Sequence, residues 1–158
     1  MTSSAAVGRQ TLYRGIRMRS RLEADFAMRY LDDPLAVTVP WEYEPLCFAG
    51  RLRDGEPGQY LPDFRSDVGS YHIYYEVKPR STDAATWADV ASHMEIVWQA
   101  ESDAALVGIA WTFGSPVPCM PVWGTQRAGW ASADPPIVAA LQSVGLPCRL
   151  LGRNPKDD

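Results

Sequence analysis

Asp63, Glu76 and Lys78 are the residues of this chain whose types and spacing best suit chemistry. They lie in YLPDFRSDVGSYHIYYEVKP, residues 60–79, which reads as a β-hairpin closed by Gly69-Ser70, a two-residue turn with glycine first. That turn pairs Val68 with Tyr71, and counting back along both strands sets Asp63 directly opposite Glu76. Opposed side chains stand about 4.5–5.5 Å apart at Cβ on one face of the ladder. Lys78 shares that face, as do His72 and Tyr74, because strand side chains alternate; Tyr71, Ile73, Tyr75 and Val77 go to the other. Two ionised carboxylates so placed repel each other. A divalent cation would relieve this, since ions such as Mg²⁺ take one or two carboxylates together with waters and substrate phosphate oxygens. Lys78 alone offsets one of the two charges. The same pattern also fits a solvated hairpin face on which Lys78 balances one acid.

The elements that must position these residues follow from periodicity. RMRSRLEADFAMRYLDD reads as a first helix: Met18, Leu22, Phe26 and Tyr30 recur every four residues, and Ala27 and Leu31 widen the stripe. Glu23 lies about 100° round from that stripe, at its border. AVTVPWEYEPLCFAG is expected to be a strand with a proline irregularity, RDGEPG a turn, and QYLPDF and YHIYYEVK the next two strands. STDAATWADVASHMEIVWQAES predicts a second helix, with a cap at Ser81, Thr82 or Asp83 and a buried stripe of Trp87, Val90, Met94, Val97 and Trp98. AALVGIAWTF suits a buried central strand. Residues 114–133 read as loop with short strands, DPPIVAALQSVG as a closing helix and CRLLG as a last strand. The resulting order, α-β-β-β-α-β, predicts an α/β fold with a mixed sheet flanked by helices.

At 158 residues, 46% hydrophobic and 22% charged, the composition is that of an ordinary globular domain. Cys47, Cys119 and Cys148 form neither a CxxC pair nor a disulfide framework, so a reducing, cytoplasmic setting is expected. No apolar run reaches the roughly 20 residues of a membrane span, and the N-terminus lacks a signal-peptide core. The net charge of −4 is unevenly spread. Residues 1–31 carry six arginines against Glu23 and Asp25, whereas residues 81–126 carry five acids and no lysine or arginine. A basic end on an acidic body fits a local polyanion contact, and equally an arginine-rich, solubilising helix start.

PDF (Pro62-Asp63-Phe64), eleven residues, then EVK (Glu76-Val77-Lys78) resembles the PD-(D/E)xK nuclease motif. MRSRLEADFA offers Glu23 on a preceding helix, and WEYEP resembles the lead-in strand of phage Holliday-junction resolvases and of the cleaving subunit of heteromeric transposases. The likeness covers Tyr13 to Phe113. It implies a restriction-endonuclease-like core over residues 13–113, after a flexible stretch at 1–12 and before an irregular C-terminal extension at 114–158, all within one domain. It further implies that Asp63, Glu76, the Val77 carbonyl and Glu23 hold Mg²⁺, for which Mn²⁺ can substitute. Lys78 would orient the attacking water and offset transition-state charge. Glu23, Asp63, Glu76 and Lys78 form the implied catalytic set. Under this resemblance Arg14, Arg17, Arg19 and Arg21 are candidates for contacting DNA phosphates, sequence-independently.

The implied activity is metal-dependent cleavage of DNA in phage or mobile-element processing, by a chain that could act as a homodimer or within a larger DNA-processing complex. Preference for DNA over RNA comes from the resemblance alone. Two alternatives stand beside it: a transposase-type cleavage subunit that needs a partner, and a non-catalytic DNA-binding or assembly module that keeps the fold. Glu44 is expected to be structural or to support the site from behind, and His72 and His93 to be ordinary polar positions.

Overall fold

The computed structural model describes residues 10–32, 40–69, 71–114 and 119–126. They form β1 (Thr11–Tyr13), β2 (Ile16–Met18), helix α1 (Arg21–Phe26), β3 (Trp41–Tyr43), β4 (Phe48–Arg51), β5 (Pro57–Tyr60), β6 (Phe64–Val68), β7 (Tyr71–Pro79), helix α2 (Ala84–Ala100), β8 (Ala105–Trp111) and β9 (Cys119–Thr125). Five strands make a mixed sheet in the order β3-β6-β7-β8-β9. Only β7 and β8 run parallel in it, joined through α2; the other neighbours are antiparallel. The fold is thus α/β with a mixed sheet and two helices, as the periodicity predicts. Among the described residues no helix is long and apolar enough to cross a membrane.

Alternation along β7 and β8 divides the core in two. Ile73, Tyr75, Val77, Val107 and Ile109 face α1, whereas Tyr74, Leu106 and Ala110 face α2. Phe26 pins α1 to the sheet, its ring centroid 5.3–5.7 Å from those of Phe64, Tyr75 and Trp111. Each such buried aromatic contributes roughly 1.5–3 kcal/mol over an exposed one. On α2 the expected stripe of Trp87, Val90, Met94, Val97 and Trp98 is buried, and Asp83 caps the helix by accepting from Thr86 N–H at 2.8 Å. Every residue of β8 is buried, as its apolar run requires.

Four expectations differ from the structure. The first helix starts at Arg21, not Arg17. Arg14 and Gly15 adopt positive φ (51° and 78°), folding Thr11–Met18 into the β1–β2 hairpin, and Ser20 caps the helix by accepting from Glu23 N–H. Thr11 and Leu12, expected in the flexible stretch, therefore lie in a strand. After Phe26 the helix widens into a π turn over Ala27–Leu31, where Asp32 N–H reaches Ala27 O. The single strand expected over 36–50 is two, β3 and β4, in different sheets, and QYLPDF is likewise split between β5 and β6. Beyond Phe113, β9 extends the sheet; the expected closing helix and last strand lie outside the described residues.

Candidate active site at a fork in the sheet

The site forms where a bent two-stranded ribbon leaves the main sheet. β3 pairs with β6 as far as Tyr43 and Phe64, and the same two chain segments pair again as β4 and β5 from Phe48 and Tyr60. Between these ladders, four residues on one strand (44–47) face three on the other (61–63). Such a mismatch bends the ribbon and re-aims side chains. Pro62 lacks the N–H a continuous ladder needs, and Glu44 takes up the bend at a φ of 46°. Glu44 N–H still donates to Asp63 O at 2.8 Å, which holds the two bends at one level. Beyond the bend, β4 and β5 lie close on α2. A Cβ added at Gly50 would stand 2.4 Å from Gln99 Oε1, and Gln99 bridges to both the N–H and the carbonyl of Arg51.

The β6–β7 register is the one the Gly69 turn predicts, from Val68 opposite Tyr71 to Phe64 opposite Tyr75. There the strands part. Asp63 N–H donates to Tyr75 O at 3.1 Å, and the Asp63 side chain replaces the next backbone partner: its Oδ2 accepts from Val77 N–H at 2.8 Å. The Val77 amide thus meets the Asp63 side chain. The charge of Glu76 acts on Asp63, and Asp63 in turn acts on Glu76. Glu76 Oε1 accepts from Tyr60 Oη–H at 2.7 Å, and Lys78 Nζ lies 3.6 Å from Glu76 Oε2. The Glu76 side chain is 12% exposed and that of Lys78 33%, so the pair opens to solvent on the lysine side.

Glu23 approaches from α1. Its Oε1 accepts from Ser20 Oγ–H at 3.0 Å and its Oε2 from Tyr43 Oη–H at 3.0 Å, and the residue is 7% exposed. Tyr43 Oη in turn accepts from Arg19 N–H at 2.9 Å. Glu23 adds to the negative field at Asp63. Among the described residues, however, no three His, Cys, Asp or Glu side chains group closely enough to hold an ion. The implied metal set of Asp63, Glu76 and Glu23 is therefore not gathered into one group, and Ser20 and Tyr43 hold Glu23 by both oxygens. A pair still fits Mg²⁺, which completes its shell with water and phosphate oxygens.

The electrostatics mark this pair as unbalanced. Burial, then the charges of Glu76 and Glu23, push the Asp63 carboxyl well above the usual range, against Val77 N–H and Lys78. Burial raises Glu76 as well, against its bonds from Tyr60 and the lysine charge. Burial and Glu44 raise Glu23, against Ser20, Tyr43 and Arg19. Burial, with Glu76 and Asp63, pushes the Tyr60 phenol far up, so it remains a donor. Two buried carboxyls that act on each other's charge are relieved by a proton or by a cation, and an oxygen-only pair such as Asp63 and Glu76 has the donor chemistry of a hard divalent ion.

The four candidate arginines divide. Arg14 pairs with Asp32 at 2.9 Å and lies over the Trp41 ring, and Arg19 pairs with Glu44. Arg21 lies 4.9 Å from the Phe113 ring centroid. Arg17, exposed on β2, has no ion-pair partner among the described residues. His72 is engaged by Asp67 and Arg65, and His93 by Asp89.

Sequence reading missed Tyr60, Tyr43 and Asp25. In a continuous strand Tyr60 falls on the face opposite Asp63, and only the bend brings it round. Ser20-x-x-Glu23 was a readable capping signature for the helix start. Fold and site together define a mixed α/β protein with buried acids at a strand fork. No family model, curated protein or solved structure matches the chain.

Proposed function

We propose that the chain is a metal-dependent DNA endonuclease of PD-(D/E)xK type, built on a restriction-endonuclease-like core. One observation carries the reading. At the fork, Asp63 and Glu76 act on each other's charge, Lys78 lies 3.6 Å from Glu76, and this oxygen-only pair beside an ammonium is the donor set the reading needs. Asp63 and Glu76 would hold Mg²⁺ or Mn²⁺ with water and a substrate phosphate oxygen. A bound ion supplies Lewis acidity at the phosphoryl oxygen and a water that ionises near neutral pH. Lys78 reaches the same opening and adds positive charge where the phosphoryl group becomes more negative. Glu23 deepens the negative field from the α1 side, and Arg17 offers a charge to the DNA backbone.

The test is direct. Purified protein should nick plasmid or branched DNA with Mg²⁺ or Mn²⁺ and stop when EDTA is added. Asp63→Ala and Lys78→Ala should each abolish cleavage while far-UV circular dichroism stays unchanged; full activity in either variant refutes the site. Metal binding without cleavage by the isolated chain, restored by a partner protein, would instead point to a transposase-type subunit.

A further inference from the structure

We propose that Tyr60 is a positioning residue for the metal-binding pair: its hydroxyl fixes one oxygen of Glu76 so that the other is presented toward the opening shared with Lys78. This rests on the metal-dependent reading above. The two acids are held by parallel devices. Asp63 Oδ2 is taken by Val77 N–H at 2.8 Å, and Glu76 Oε1 by Tyr60 Oη–H at 2.7 Å. In each case a donor of the protein occupies one oxygen, and the second oxygen of Glu76, Oε2, lies on the side of Lys78. The first device is backbone and cannot drift. The second is a side chain and needs its own anchor. Tyr60 has one, because it ends β5, pairs with Phe48 and is 7% exposed in the core under α2. A glutamate has one more rotatable bond than an aspartate, and Glu76 is otherwise steered by an ammonium 3.6 Å away on a flexible stem. The phenol supplies the directional bond that the lysine does not. Groups that orient metal ligands in this way typically govern affinity by about 10- to 100-fold.

Tyr74 provides the control. It also lies on the α2 face of the sheet and is buried, but its hydroxyl donates to Glu101. Mn²⁺ titrations by calorimetry on wild type, Tyr60→Phe and Tyr74→Phe separate the possibilities, with thermal unfolding in EDTA checking that each protein is folded. The ring is kept in both variants, so unfolding temperatures should stay within a few degrees. The expected result is Mn²⁺ affinity about 10- to 100-fold weaker in Tyr60→Phe and unchanged in Tyr74→Phe. Equal affinity in wild type and Tyr60→Phe overturns the positioning role and leaves the nuclease reading standing. Equal weakening in both variants also overturns it, since any lost hydroxyl in this core would then suffice. No Mn²⁺ binding by wild type removes the nuclease reading, and this inference with it.

Discussion

Glu23 and Asp25 stand two residues apart on α1, both buried, in opposite surroundings. Asp25 is fully provided for. Arg29 Nε donates to it at 2.7 Å, Trp111 Nε1 at 2.8 Å and Gly114 N–H at 2.8 Å. Burial alone would raise its proton affinity, but the Gly114, Trp111 and Arg29 donors outweigh burial and hold it below the usual range. Glu23 looks the other way, toward Asp63 and Glu44, and its proton affinity is raised, as are those of Asp63 and Glu76. One helix thus carries an acid that ties the end of β8 to α1 and an acid that joins a repelling group. Both acids have donors; those of Asp25 outweigh its burial, whereas those of Glu23 do not outweigh burial and the charge of Glu44.

The largest test of this contrast is Asp63→Asn. It keeps an oxygen for Val77 N–H and removes one charge from the pair, so cleavage should fall to background while the unfolding temperature in EDTA holds or rises. A clear loss of stability would place Asp63 with Asp25 as a structural acid. Asp25→Asn should do the reverse. Weakening bonds from Arg29, Trp111 and Gly114 to a charged acceptor should cost about 3 kcal/mol, or roughly 6–12 °C in unfolding temperature, with metal affinity of the folded protein unchanged.

The pH dependence of stability in EDTA should separate the two regions by sign. Asp25, depressed in the folded state, contributes stability present above the unfolded value of about 4 and lost as pH falls through its folded value. Asp63, Glu76 and Glu23 are raised, so their contribution is complete below about 4 and is lost as pH rises through their folded values. Asp25→Asn should therefore flatten the acid side of a plot of unfolding temperature against pH, and Asp63→Asn the side toward neutrality. The smallest effect is expected at Arg17. Arg17→Ala should weaken DNA binding alike for all sequences and lower the salt dependence by about one charge, read by fluorescence anisotropy across a salt series.

Much of this was legible in the chain. Gly69 at the turn set the β6–β7 register, and alternation then assigned Glu76, Lys78 and Tyr74 to one face and Ile73, Tyr75 and Val77 to the other, as observed. The α2 stripe and the all-buried β8 followed from apolar spacing alone. The first helix was read four residues too long at its start, because Met18 fits a helical stripe and a strand equally well, and the Arg14-Gly15 turn decides between them.

Local physics therefore settled which residues alternate and where the hairpin turns, since period, turn geometry and side-chain type act over a few residues. Tertiary structure alone decided that the ribbon bends at Glu44 and Asp63, that Tyr60 swings onto Glu76, and that Glu23 and Asp25 have different fates. Those outcomes depend on contacts up to 89 residues apart, such as Asp25 with Gly114, and no local pattern records them.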